Sequence, residues 1–251
     1  MAKPDWRHAE DYCFTDTLNA GQWAWEFLRR NLEYQQDWEW FNQTWQALEA
    51  RYGKPPARDF QAWKRDPRAY RIVDDASGDC RVDEDKVLIE CWMGAKWGFY
   101  KFPLDPAVDR PRIGEQLSWR EVEDCVPLVD TLDSPYLNAD CQRIALGFDL
   151  DMPLRRQLEA AKHFLQRRQA RLRRNGEVIL RSVAACRSRW TLMLRLLDRA
   201  QSGEVPASMH VERLPETEQQ LDLLELLAAA NALVQGGYRN LPLLPEGVKH
   251  G

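Results

Sequence analysis

The chain has 251 residues, of which 44% are hydrophobic and 29% are charged, and its formal net charge is -4. This is the composition of an ordinary globular protein, which excludes a wholly disordered or a fibrous chain. No apolar run approaches the roughly 18 residues that a membrane helix needs, and the first residues lack the apolar core of a signal peptide. We therefore expect no membrane partner and a cytoplasmic location.

The first 130 residues are expected to form helices and then a β-hairpin, because apolar residues recur first at helical and then at strand spacing. The predicted helices are 20–31, 35–51 and 57–65, and the predicted strands are 70–74, 86–92 and 96–102. One face of the second helix carries Trp38, Phe41, Trp45 and Leu48. Such a stripe could stack on bases, but tryptophan at helical spacing usually belongs to the core, and we predict that it does here.

Helices dominate the predicted elements of the second half of the chain. After a strand expected at 143–149, a long helix is predicted to begin near Pro153, with leucines on one side and arginines on the other. The next predicted helix, 178–200, is apolar on two sides, which is typical of a helix buried between partners. A last helix over 215–234 is expected to end at the glycine pair 236–237.

Tryptophan is unevenly distributed, since ten of the eleven tryptophans lie between Trp6 and Trp119. Together with the change of hydrophobic spacing, this asymmetry indicates two domains. We predict an α+β unit over 1–130, a mostly α-helical unit with a helix-turn-helix-like arrangement over 143–239, and a tail over 240–251.

The small net charge of -4 conceals an uneven distribution of charged residues along the chain. Residues 1–154 hold 19 basic and 29 acidic side chains, residues 155–199 hold 13 and 3, and residues 200–251 hold 3 and 7. A concentrated cationic segment indicates a polyanionic partner such as nucleic acid. The alternative is that an acidic part of the same chain docks on this segment.

The basic run at 167–174 is the strongest functional feature, because arginine binds phosphate bidentately and reads base edges in the grooves of DNA. On a helical wheel, Arg167, Arg171 and Arg174 lie within about 60° of each other, opposite the leucines. One phosphate backbone could therefore meet all three.

A helix-turn-helix interpretation extends this site towards the C-terminus. It takes 190–199 as the first helix, Ser202 and Gly203 as the turn, and 206–214 as the recognition segment. The candidate nucleic-acid-binding residues are Arg156, Arg167, Arg168, Arg171, Arg173, Arg174, His210 and Arg213.

Motifs for catalysis or metal binding are weak or missing in the sequence. The six cysteines and four histidines lack the close pairs of a zinc site, and the cysteines are expected to be reduced. The best enzymatic alternative is a metal-dependent nuclease built on Asp74, Asp75, Glu84 and Lys86, but this cluster has the pattern of a solvated hairpin turn. We expect no catalytic residue, no metal and no cofactor.

Two stretches resemble a known protein family. Pro-Asp-Trp-Arg at 4–7 and Trp-Ala-Trp-Glu-Phe-Leu-Arg-Arg-Asn at 23–31 are similar to the N-terminal transcriptional regulator-like domain of proteobacterial proteins carried on integrative and conjugative elements. The helix-turn-helix variant that is often fused to this domain is similar over 148–154, 157–161, 168–169, 190–198 and 236–239. The resemblance implies a non-enzymatic regulator whose C-terminal domain binds promoter DNA or a related regulator.

The sequence therefore predicts a DNA-binding transcriptional regulator of mobile-element genes, with double-stranded DNA as its partner. The alternative is a protein-interaction module, such as an antiactivator or a subunit of a nucleoprotein complex, that binds a regulatory protein and does not read DNA directly.

Overall fold

A computed structural model describes residues 4–73, 81–100, 102–107, 111, 117–120, 144–178, 180–203 and 223–247. The α-helices are α1 (Ala20–Leu28), α2 (Leu32–Tyr52), α3 (Phe60–Arg65), α4 (Ile89–Trp97), α5 (Leu154–Arg174), α6 (Val183–Gln201) and α7 (Leu223–Val234). The strands are β1 (Tyr70–Ile72), β2 (Arg81–Asp83) and β3 (Lys86–Leu88), and 3₁₀ helices cover Ala9–Thr17, Pro67–Ala69 and Gly237–Leu243. This confirms the predicted fold class, an α+β part followed by a mostly helical part. The recognition segment of the helix-turn-helix interpretation, 206–214, lies outside the described residues.

Helix α1 is short and almost completely buried. Asn19 begins it with a reciprocal capping box, in which its side chain accepts from the backbone N–H of Gln22 and the Gln22 side chain accepts from Asn19. Trp23, Trp25 and Phe27 are all buried, so the tryptophans at this end of the chain belong to the core. Because eight of its nine residues are buried, including the polar Gln22 and Glu26, the helix needs covering elements all round.

Helix α2 confirms the predicted core stripe. Phe41 and Leu48 are buried, and Trp38 and Trp45 are partly buried against the same core. Asn31 caps the start of the helix, because its side-chain oxygen accepts from the backbone N–H of Tyr34.

The small sheet is antiparallel, with strand order β1-β3-β2 and Tyr70 paired with Leu88. The predicted hairpin strand at 96–102 is wrong for the residues up to Trp97, because these belong to α4. The predicted strand at 86–92 ends early for the same reason. Ile89, Met93 and Trp97 recur every four residues and are buried together, a helical spacing that the continuous apolar run concealed.

Residues 144–149 were also expected to form a strand, and that prediction is wrong, because no strand pairing is present over this range. Alternation of apolar residues from Ile144 to Phe148 suggests a strand, but a strand exists only where a neighbouring strand offers backbone hydrogen bonds.

The chain forms two compact units, residues 1–122 with 183–251, and residues 123–182. We call them the discontinuous unit and the inserted unit. This grouping differs from the predicted division, which placed 143–239 together. The physical reason lies in α1, whose buried Trp23 meets the ring of Trp190 on α6 at 5.2 Å between centroids, so a C-terminal helix completes the N-terminal core.

The C-terminal residues up to 247 belong to the discontinuous unit. The prediction of a separate tail over 240–251 is therefore wrong for residues 240–247. Leu241 is buried, the backbone N–H of Val183 donates to the carbonyl of Pro245 at 2.9 Å, and the N–H of Ala20 donates to the Glu246 carboxylate at 3.0 Å. The last predicted helix does end where expected, since α7 stops before Gly236.

Two further observations bear on the sequence-based expectations. Cys91 is engaged in a disulfide, so the expectation of uniformly reduced cysteines is wrong there, whereas Cys13 and Cys186 are not disulfide-bonded. Within the described ranges, no helix is long and apolar enough to cross a membrane.

Candidate nucleic-acid interface

Helix α5 carries the cationic run, and both of its ends are closed by local hydrogen bonds. At its start, the Gln157 side chain donates to the carbonyl of Asp149 and accepts from the Asp149 N–H, both at 2.9 Å. At its end, Gly176 has φ +72°, and the N–H of Glu177 reaches back to the carbonyl of Leu172 at 2.9 Å. This is a Schellman ending, which needs a residue that tolerates the left-handed region.

Six of the eight candidate binding residues lie on α5, and helical geometry divides them. Arg156, Arg167 and Arg174 share one direction within about 20°, and Arg171 lies about 40° from Arg167, at 100° per residue. We call these four the phosphate face. Arg173 and Arg168 lie about 120° and about 100° away from Arg167 on either side. The other two candidates, His210 and Arg213, lie outside the described residues.

Helix α5 is strongly cationic and open to solvent. It holds seven arginines, one lysine and one glutamate, a net charge of +7 with His163 neutral. None of its residues is buried. Within the described part of the inserted unit, none of these cations is in an ion pair, and Arg167 donates only to the carbonyl of His163 on its own helix. The charge is therefore not neutralised by the described residues of this unit.

Like charges at this spacing cost helix stability. Arg167 and Arg171 are four residues apart and Arg171 and Arg174 three apart, so each pair repels along the helix surface. The position of Arg171 and Arg174 in the last turn offsets part of this cost, because cations suit the negative end of the helix dipole. A bound polyanion would remove the repulsion.

Some arginines of the discontinuous unit are used differently, because they form contacts inside the fold. Arg58 pairs with Glu49 at 3.0 Å, and its guanidinium stacks 4.0 Å from the ring centre of Trp63. These contacts satisfy the charge and the planar face of Arg58 within the unit. In contrast, the arginines of α5 have no carboxylate partner among the described residues of their own unit.

A buried polar cluster, which we call the Asp198 cluster, was missed by sequence reasoning. Arg30 donates through Nε and Nη2 to the two oxygens of Asp198 at 2.9 and 2.8 Å, and through Nη1 to Glu26 at 2.7 Å. The Tyr12 hydroxyl donates to Asp198 at 2.7 Å. All four side chains are buried. The available signal was the Glu26–Arg30 pair, four residues apart in an otherwise apolar segment, since buried charges require partners.

The protonation states of the Asp198 cluster follow from its surroundings. Burial and the Asp198 carboxylate together raise the pKa of Tyr12 above its ordinary value, so the hydroxyl stays protonated and donates. Burial alone would lower the pKa of Arg30, but Asp198 and Glu26 more than offset it, so the guanidinium stays charged. The cluster therefore joins α1 to α6 through buried charge.

The nuclease alternative gains no support from the described residues. Glu84 is exposed in the turn between β2 and β3, and Lys86 pairs with Asp83 at 3.1 Å across that turn. Asp74 and Asp75 lie outside the described residues. Where the structure describes the chain, it holds no cluster of three or more potential metal ligands.

Comparison with known proteins identifies one segment. Residues 5–63 match the sequence model of the proteobacterial transcriptional regulator-like domain. No curated protein and no solved structure matches the chain. The matched segment contains Tyr12, Glu26 and Arg30, so the Asp198 cluster links it to α6, which lies beyond the match.

Proposed function

We propose that this protein is a non-enzymatic transcriptional regulator of mobile-element genes that acts in the cytoplasm and binds double-stranded DNA through the phosphate face of α5. The match of residues 5–63 to a transcriptional regulator-like domain supports a regulatory role. The observation that carries the DNA contact is the row of arginines on a helix with no buried residue.

The geometry of the phosphate face suits a duplex backbone. Arg167, Arg171 and Arg174 span about 10 Å along the axis at 1.5 Å per residue, close to the rise of three base pairs. Guanidinium groups bind phosphate oxygens with two parallel hydrogen bonds. Such contacts position a protein on DNA, whereas the reading of bases by 206–214, including His210 and Arg213, stays a prediction.

Replacing Arg167, Arg171 and Arg174 together by Gln is expected to weaken duplex binding by the full chain regardless of sequence. Each lost phosphate contact lowers the slope of log affinity against log salt by roughly 0.9, so the triple variant should lose about 2–3 from that slope. Gln has nearly the helix propensity of Arg, so helix content should stay unchanged. Fluorescence anisotropy with labelled duplex at several salt concentrations measures both quantities.

The matched control is the triple variant Arg155→Gln, Lys162→Gln and Arg173→Gln, which removes the same charge from another side of α5. It should keep most of the wild-type salt slope. Equal losses in both variants would mean that only net charge matters, and absence of wild-type binding at physiological salt would end the DNA proposal in favour of a protein partner.

The protein-interaction alternative is favoured by a separate observation, the exposed leucines of α5. Leu154, Leu158 and Leu165 are 45%, 56% and 41% exposed. A regulator that binds a second protein through them would not need to read DNA itself.

A further inference from the structure

The leucines of α5 follow the spacing of a coiled coil. Steps of four and three residues alternate without a break along one stripe, which we call the leucine seam and which consists of Leu154, Leu158, Ala161, Leu165, Arg168 and Leu172. These are the a and d positions of a heptad, whose narrow stripe fits the grooves of one other helix. Three of the seam leucines are at least 41% exposed, so the seam is open along much of its length.

We propose that the leucine seam docks an amphipathic, acidic α-helix of a partner protein. The proposal does not rest on DNA binding, because the seam lies about 100–180° from Arg167 on the helical wheel and contains no residue of the phosphate face, although Arg171 of that face flanks the seam. One helix can therefore contact a duplex with one side and a protein with the other.

Charge complementarity specifies the acidic character of the partner. The positions that flank a heptad seam hold Arg155, Gln157, Lys162, Phe164, Gln169 and Arg171, and none is a carboxylate. In a coiled coil, ion pairs between the flanking side chains of the two helices determine which helices pair. A second copy of α5 would bring a second charge of +7 without one complementary flanking pair, whereas a helix with glutamates at its flanks pairs with each of these cations.

Arg168 indicates which residue the partner helix carries in its apolar stripe, because it places a cation within the seam. Its Nε is buried and has no hydrogen-bond partner among the described residues. A carboxylate on the facing helix would satisfy this group, and a buried hydrogen-bonded charge pair selects one register. The same arginine disfavours a lipid surface, since the apolar face of a membrane-bound helix is broad and free of charge at its centre.

The direct test uses synthetic peptides with the full chain. The parent peptide has three heptads with Leu at a and d and Glu at the flanking positions, and the control peptide carries Lys at those flanks. We expect the acidic peptide to bind at least about tenfold more tightly than the basic one, because the pairs with Arg155, Lys162 and Arg171 change from attractive to repulsive. Equal binding of the two peptides, or binding of neither, would overturn the proposal.

The seam itself is tested by replacing Leu158 and Leu165 with Gln, which keeps helix propensity and removes apolar contact. Because both leucines are exposed, the fold should be retained, and affinity for the acidic peptide should fall at least about tenfold. The matched control Arg156→Gln with Arg167→Gln lies across the helix, and it should change affinity by less than about threefold, since charges are screened over about 8 Å at physiological salt. Unchanged binding of the leucine variant would contradict docking on the seam.

A second variant tests Arg168 without depending on the leucines. In a series of peptides, Glu replaces one a- or d-position Leu of the parent peptide at a time. The wild-type protein should bind one of these Glu-containing peptides more tightly than the parent, whereas the Arg168→Leu protein should bind the parent most tightly. A general attraction between opposite charges cannot produce this reversal of preference. A missing reversal overturns the assigned register. Two other outcomes would also overturn the proposal. If the protein binds neither peptide but forms a dimer in sedimentation, and Leu158→Gln with Leu165→Gln abolishes that dimer, the seam binds a second copy. If it instead binds phosphatidylcholine–phosphatidylserine vesicles, and the same variant abolishes that binding, the seam binds a lipid surface.

Discussion

A chain shortened to residues 1–142 is expected to lose cooperative unfolding altogether. Its N-terminal core is incomplete without α6 and the C-terminal 3₁₀ helix, which pack against α1. Trp23 and Phe27 would face water, at a cost of up to about 3–6 kcal/mol for these two side chains alone. A typical domain has only about 5–15 kcal/mol in total. Near-ultraviolet circular dichroism and thermal unfolding of the shortened chain measure the loss.

The matched control removes the inserted unit instead. Replacing 123–182 by a flexible glycine–serine linker deletes 60 residues, fewer than the 109 that the shortened chain lacks, and leaves every element of the discontinuous unit in place. Loop-closure entropy depends only weakly on loop length, so the linker variant should unfold cooperatively near the wild-type temperature. A shortened chain that unfolds as sharply as the wild type would contradict the discontinuous core.

Replacing Asp198 by Ala is expected to destabilise the protein by about 3–5 kcal/mol, the usual cost of removing one partner from a buried ion pair. Arg30 would keep its charge in the core with only Glu26 to balance it, and the Tyr12 hydroxyl would lose its acceptor. Equilibrium unfolding in urea, monitored by tryptophan fluorescence, gives the change in free energy of unfolding.

Two further variants separate buried charge from charge in general. Glu33→Ala removes a carboxylate from an exposed ion pair with Lys96 and should change stability little, because surface ion pairs contribute little. Asp198→Asn keeps the shape and one acceptor, so its cost should come mainly from the lost charge. Similar small effects of Asp198→Ala and Glu33→Ala would mean that the Asp198 cluster does not link α1 to α6 energetically.

Local periodicity predicted several elements correctly because it reports which sides of an element are apolar. The stripe from Trp38 to Leu48 lies in the core, and α6 is buried on both predicted sides, through Leu194 on one and Leu192 on the other. The same reasoning failed at 89–97, where apolar residues are continuous and a helix and a strand have nearly the same pattern.

The position of the cationic side chains on α5 also followed from the sequence, since 100° per residue fixes which arginines share a side once the segment is helical. Whether these arginines bind DNA stays a proposal. The openness of the leucine seam could not be predicted, because an amphipathic pattern is the same for a helix that packs within its own unit and for one that does not.

The sequence by itself determined the helical segments, the Trp-rich core and the concentration of positive charge on one helix, because these depend on residue type and spacing along a few turns. Only the tertiary structure decided that residues 183–203 and 223–247 complete the N-terminal core and that α5 has no buried residue. The physical reason is that spacing identifies an apolar surface but not the distant segment that covers it. The contact of Trp23 with Trp190 and the pairing of Arg30 with Asp198 each join residues more than 160 positions apart.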